Sequence, residues 1–149
     1  MNLFGMMEIS ASALGAERIR AEVVTSNLAN AESTRTSEGG PYQRREVVFA
    51  AQRPSFALSL ATAGQSTLDS ASASTGVRVR DVVTDSAPPL VKYEPSHPDA
   101  NADGYVAYPN INPVSEMADL MGAARAYEMN VSAITAAKQM IQQSIEILK

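Results

Sequence analysis

The chain has 149 residues, a formal net charge of −4 and no cysteine. With 45% hydrophobic and 19% charged residues it has the composition of a folded chain, long enough for one domain or for a helical part with a modest second module. The acidic balance and the lack of a Lys/Arg cluster argue against a nucleic-acid binder, and the missing thiols exclude disulfides, thiolate catalysis and Cys-ligated zinc.

Met1 to Leu14 contain Glu8, carry no basic segment and never reach the apolar run of a signal-peptide core, so export would need a route without signal cleavage. No stretch is apolar enough for membrane insertion. From about Met6 to Ala31, Ile9, Ala13, Ala16, Arg20, Val23, Asn27 and Asn30 recur at helical spacing, with Leu14, Ile19, Val24 and Leu28 beside them. This predicts a long first helix whose seam is small and partly polar, with asparagines able to fix register at some cost in stability. Ser33, Thr34, Thr36, Ser37, Gly39, Gly40 and Pro41 then form a turn-rich exit.

Tyr42 to Ala50 reads as a strand from its Tyr, Val and Phe content. Between Ser55 and Thr75, Ser, Ala and Thr supply 14 of 21 residues, the composition of a flexible surface insertion, in which Phe56, Leu58 and Leu60 offer one short ordered piece. Gly76 to Thr84 alternates apolar and polar residues and is the clearest strand. Pro88-Pro89 breaks it, and Leu90 to Tyr93 and Gly104 to Tyr108 follow as two short strands.

Two segments invite a chemical reading. Asp99, Asn101, Asp103 and Gly104 reproduce the opening of a calcium-binding loop, but its twelfth position is Asn110 where a bidentate Glu is needed, and prolines flank it on both sides. An Asp/Asn/Gly turn between strands is the simpler reading. His97, the only histidine, has no nucleophile elbow or glycine-rich oxyanion segment to work with, and is expected to donate to a nearby carbonyl in a turn. No GxGxxG, P-loop or HExxH occurs. The residues therefore point to no catalytic group, metal, cofactor or small-molecule substrate.

The last 37 residues, Pro113 to Lys149, carry the strongest pattern. Asn112 suits an N-cap and Pro113 the first helical position. Met117, Leu120, Ala124, Tyr127, Val131, Ile134, Lys138, Ile141, Ile145 and Leu148 then alternate three and four apart, apolar at all but Lys138. That is the coiled-coil period. Such a helix, roughly 55 Å long at 1.5 Å per residue, needs a partner for its seam, either within the chain or on another subunit. Gly122, Ala123 and Ala124 make a narrow place where another helix can approach. The expected architecture is α+β: residues 1–35 and 113–149 form a terminal helical, coiled-coil assembly domain, and residues 36–112 a small antiparallel β module with the insertion at about 55–75.

Ser26 to Ala31 (SNLANA) at the end of the first helix resembles the signature of the axial proteins of the bacterial flagellum, the rod and hook subunits. TRTSEGGPYQRREVVF at Thr34 to Phe49, YEPSHPDANADGYVAYPNIN at Tyr93 to Asn112 and RAYEMNV at Arg125 to Val131 are similar to the proximal-rod branch of that family. The usual signature continues into a Thr-Pro-Gly-Tyr turn, whereas Glu32-Ser33-Thr34-Arg35 follow here, which again favours that branch. The resemblance implies a structural subunit in the periplasmic rod. It would be exported uncleaved by the flagellar type III export apparatus and stacked helically with other rod proteins and copies of itself, its terminal helices lining the channel. Asn27, Leu28, Asn30 and Ala31 match the signature on the first helix, and Arg125, Tyr127, Asn130 and Val131 match on the last. With the seam residues these form the expected assembly interface. Another axial subunit would lack the PSHPDANADGYV stretch, and a cytoplasmic coiled-coil adaptor would form a closed dimer.

Overall fold

The computed structural model describes residues 3–37, 39–52 and 76–147. The expected Ser/Ala/Thr-rich insertion and seam residue Leu148 lie outside them. The fold is α+β. Helix α1 (Leu3–Ala29) and helix α2 (Pro113–Ile147) stand at the two ends of the chain. Between them come strands β1 (Arg45–Ala51), β2 (Val77–Thr84), β3 (Leu90–Tyr93) and β4 (Tyr105–Tyr108), paired as two antiparallel sheets, β1 with β2 and β3 with β4.

The local signals explain the boundaries. Asn112 caps α2 as expected: its Oδ1 accepts the Val114 N–H at 3.0 Å, and its carbonyl accepts the Glu116 N–H at 3.1 Å. Helix α1 stops two residues before the expected end: the Ser26 carbonyl accepts both the backbone N–H and the side-chain amide of Asn30, at 3.1 and 2.9 Å, and the Ala31 N–H turns to the Leu28 carbonyl at 3.3 Å, tightening the last turn. Strand β1 starts three residues later than its composition suggests, since the Tyr42 N–H is committed to the Ser33 carbonyl at 3.0 Å.

The chain divides into two compact units, and both helices and both strands of the first sheet contribute residues to each. The first holds residues 3–18, 49–52, 76–80 and 124–147 among those described. Ala16 and Ala137 are buried in it. Ser12 joins helix to strand by donating to the Ile9 carbonyl at 2.7 Å and accepting the Val77 N–H at 3.0 Å. Gly76 is required for this approach, because a Cβ there would lie 2.5 Å from the Ser12 hydroxyl. Beside the junction is an open apolar hollow of about 290 Å³ lined by Ile9, Phe49, Ala50, Ala51, Gly76 and Val77.

The second unit holds residues 19–48 and 81–123, and buries Val24, Asn27, Val106, Ile111, Glu116 and Ala123. Its hairpin sets Leu90 opposite Tyr108, Lys92 opposite Val106 and Tyr93 opposite Tyr105. The turn before β4 is the expected Asx turn: Asn101 Oδ1 accepts the N–H groups of Asp103 and Tyr105 at 3.0 and 2.8 Å. Gly104 has φ +80°, and a Cβ on it would sit 2.9 Å from the Tyr93 ring.

Candidate assembly interface

The motif at the end of α1 does its work inside the chain. Asn27 is 0% exposed, and all four of its hydrogen-bonding positions are filled. Its amide donates to the Arg45 carbonyl at 2.8 Å and to Glu116 Oε2 at 3.1 Å. Its oxygen accepts the Arg45 N–H at 2.9 Å and the Tyr42 hydroxyl at 3.1 Å. One side chain thus ties the end of α1, the start of β1 and the first turn of α2. Around it, Arg45 donates from Nε to the Tyr42 hydroxyl at 3.1 Å and from a terminal nitrogen to Ser26 Oγ at 3.2 Å, with its guanidinium 5.5 Å from the Tyr42 ring centre.

Glu116 is the second centre of the junction. It is 1% exposed, yet both carboxylate oxygens have partners: Oε2 holds Asn27, and Oε1 accepts Arg44 Nε at 2.7 Å. A buried charge is tolerated only when paired and hydrogen-bonded in this way. The hydrogen bond to Glu116 raises the Arg44 pKa above its ordinary value, against the opposing effect of burial. Arg20 adds a bond to Asp119 at 3.2 Å, where both side chains are partly open to solvent and the pair contributes little.

Glu116 and Arg44 were not legible as site residues in the sequence. A carboxylate in the first helical turn reads as a favourable partner for the helix dipole, and Arg44-Arg45 followed by Glu46 reads as a mixed surface. The available signal was positional: Glu116 lies on the same helical face as Leu120 and Ala123.

The faces of α2 also differ from the seam read in the sequence. The chain covers a face rotated by about one residue, on which Glu116, Ala123 and Ala137 are buried and Leu120, Ala126, Asn130, Ile134 and Ile141 half-buried. Of the expected seam, Met117, Ala124, Tyr127, Val131 and Ile145 are exposed, as is Lys138. Small residues let chain segments approach closely, so the packed face is the alanine-rich one and the large apolar side chains flank it. The result is an uncovered row of Met117, Met121, Tyr127, Val131 and Ile145, the last 55% exposed, with Met129 66% and Ile147 85% exposed near it. On α1 and in the turn that follows it, Leu28, Asn30 and Ala31 are half-buried, and on α1 Phe4, Met6, Ile9 and Ile19 are exposed.

The stretch that opened like a calcium loop serves as a connector within the second unit. Asp99 accepts the Thr34 hydroxyl at 2.8 Å and lies 3.7 Å from the Arg35 guanidinium, fastening the exit of α1 to the hairpin turn. His97 Nδ1 accepts the Asp99 N–H at 3.1 Å, correcting the expectation that it donates to a carbonyl. Glu94 accepts the Tyr108 hydroxyl at 2.8 Å and pushes that phenol above its ordinary pKa. Among the described residues no group of three His, Cys, Asp or Glu side chains is placed to hold a metal ion, and no helix is long and apolar enough to cross a membrane.

Known proteins match the chain at both of its ends and along its whole length. The family described as "Flagella basal body rod protein" matches residues 7–35, and "Flagellar basal body rod FlgEFG protein C-terminal" matches residues 102–147. The chain is 41% identical to the flagellar basal-body rod protein FlgC of Bacillus subtilis over 153 aligned positions, covering 100% of each chain. It is 37% identical to FlgC of Borreliella burgdorferi, covering 100% of this chain and 99% of that one, and 36% identical to FlgC of Salmonella typhimurium, covering 99% and 98%. With identity of this order over the whole length of the chain, the chain belongs to the FlgC family of flagellar basal-body rod proteins.

Proposed function

We propose that this chain is a structural subunit of the flagellar basal-body rod, stacking helically with copies of itself and with other rod proteins as part of the drive shaft and export channel. The observation that carries this reading is the uncovered apolar row on α2. Its large side chains lie next to a face already covered by the chain, where Ala123 and Ala137 are buried and Leu120, Ile134 and Ile141 half-buried, so they are available to neighbouring subunits rather than to the chain's own core. A contact between two different surfaces of one chain repeats without closing, which generates a filament.

In this reading the terminal helices, residues 1–35 and 113–149, form the assembly layer and residues 36–112 pack outside it. Met117, Leu120, Ala124, Tyr127, Val131, Ile134, Ile141, Ile145 and Leu148 supply the contacts on α2, Leu28, Asn30 and Ala31 those at the end of α1, and Asn27 holds the junction that presents them. The subunit reaches the periplasmic rod through the type III export apparatus without signal cleavage.

The test is substitution on the exposed row. Val131→Asp and Ile145→Asp are expected to leave the thermal midpoint of the purified chain near that of the parent and secretion intact, while rod assembly and swimming are lost. Normal motility in both variants would overturn the assignment of this face.

A further inference from the structure

We propose that the open edge of β3 docks an extended segment of another protein, one that carries an acidic side chain between two apolar ones. The backbone supplies the first half of the argument. The Glu94 N–H donates to the Gly104 carbonyl at 2.9 Å, so in the register of the hairpin Leu90, Lys92 and Glu94 turn their backbone groups toward β4. Val91 and Tyr93, which alternate with them, turn theirs outward. Among the described residues nothing bonds these two N–H and two C=O groups. The outer side of β4 differs, because the Tyr105 carbonyl accepts the Asn101 N–H at 2.9 Å and the Tyr105 N–H donates to Asn101 Oδ1 at 2.8 Å. One step beyond the open pair on either side stand Pro89 and Pro95, which have no N–H to offer. Edge strands are ordinarily blunted along their length. Here proline closes both ends and leaves a window of two residues between them.

The side chains say what fits that window. Val91 and Tyr93 are 62% and 65% exposed on a face shared with Tyr105, whose ring meets that of Tyr93 edge-on at 5.2 Å. An incoming strand would lay its own apolar side chains beside them, the backbone ladder giving affinity and the alternate side chains specificity. Lys92 stands on the opposite face with its ammonium 4.6 Å from the centre of the Tyr108 ring. Glu94, on that same face, is committed to the Tyr108 hydroxyl at 2.8 Å, and among the described residues Lys92 has no ion-pair partner. A strand bonded to Val91 and Tyr93 sets its middle residue directly across from Lys92, in the closer, non-bonded type of pair. A second copy meets this geometry badly. Antiparallel pairing of Val91 with Tyr93 in both directions brings two Lys92 side chains face to face, and like charges so placed are destabilising. Pairing Val91 with Val91, or Tyr93 with Tyr93, sets a proline against the window instead. An acidic residue between two apolar ones avoids both faults and supplies the charge that Lys92 lacks.

The test uses the full chain, isotope-labelled for nuclear magnetic resonance, and the peptide acetyl-Thr-Val-Glu-Val-Thr-amide. Titration to millimolar peptide is expected to shift the amide signals of Val91 and Tyr93 saturably and to slow their hydrogen exchange. The same peptide with lysine in place of glutamate should bind about fivefold more weakly, and Lys92→Glu should reverse that preference. Methylating both valine nitrogens of the peptide removes its ladder donors and should abolish binding without any change to the protein. Val91→Pro should abolish it too while leaving the hairpin's own ladder intact, since the lost N–H points outward. Unmoved Val91 and Tyr93 signals, equal affinity for the two peptides, or undiminished binding of the methylated one would each overturn the proposal. So would a dimer in sedimentation that Val91→Pro dissolves, which would give the edge to a second copy. These readouts concern the isolated chain, so their failure would leave the rod assignment untouched.

Discussion

Between Pro113 and Ala123 helix α2 is held by a polar joint in which the Glu116 carboxylate and the Asn27 amide fill each other's remaining valences, whereas from Ala124 to Ile147 it carries buried alanine on one side and uncovered Tyr, Met, Val and Ile on the other. The first arrangement costs desolvation of a carboxylate and returns a unique geometry. The second gives the chain little covered surface of its own and leaves the larger apolar side chains exposed. One helix thus separates the two requirements of a building block, a defined shape and an unsatisfied surface, along its length.

Substitutions should reproduce that division in their energetics. The largest effect is expected for Glu116→Ala, which strands one donor of Asn27 and takes from Arg44 its 2.7 Å partner, leaving it Glu46 at 3.7 Å and Asp119 at 3.9 Å; losing these charge-assisted bonds should cost about 2 kcal/mol, read as a lower urea midpoint with unchanged slope. A loss well under 1 kcal/mol would mean that the joint is not the stronger end. Next comes Asn112→Ala, which removes the 3.0 Å bond to the Val114 N–H at the entrance of the same helix. It should cost about 1 kcal/mol in the same titration. The smallest effect is expected for Met129→Ser and Ile147→Ser, at side chains 66% and 85% exposed. Each should stay within about 0.5 kcal/mol of the parent in dilute solution. A greater loss would show that the chain itself covers this surface, and the contrast between the two ends of α2 would disappear.

Much of the fold was legible in the sequence because its signals are local. Asn112-Pro113 marked the start of α2, the alternation in β2 marked a strand, and Asp99 to Gly104 marked a turn, each through groups within a few residues of one another. The register of burial on α2 was not. A hydrophobic pattern ranks residues by size and apolarity, which selected Met117, Tyr127 and Val131, while packing within the chain selected the smallest side chains, Ala123 and Ala137. The joint was half visible: Asn27 stood out within SNLANA, but Arg44 and Glu116 are distant in sequence and look like surface charges until the fold brings them together. The late start of β1 was hidden for the same reason, since the Tyr42 N–H is claimed by Ser33 across the turn.

The saturation of Asn27 also bears on how much freedom sequence drift has at each position. Ala16 and Ala137 ask only for smallness, and any of the exposed apolar residues on α2 can exchange one hydrophobic shape for another as its neighbours change. Position 27 asks for two donors and two acceptors at one reach from the helix. Aspartate lacks the donors, glutamine carries the amide one methylene too far, and serine has a single proton to give. A lineage descending from this chain can therefore rewrite the exposed apolar side chains of α2 step by step, while the buried asparagine has no neighbouring residue type through which to leave.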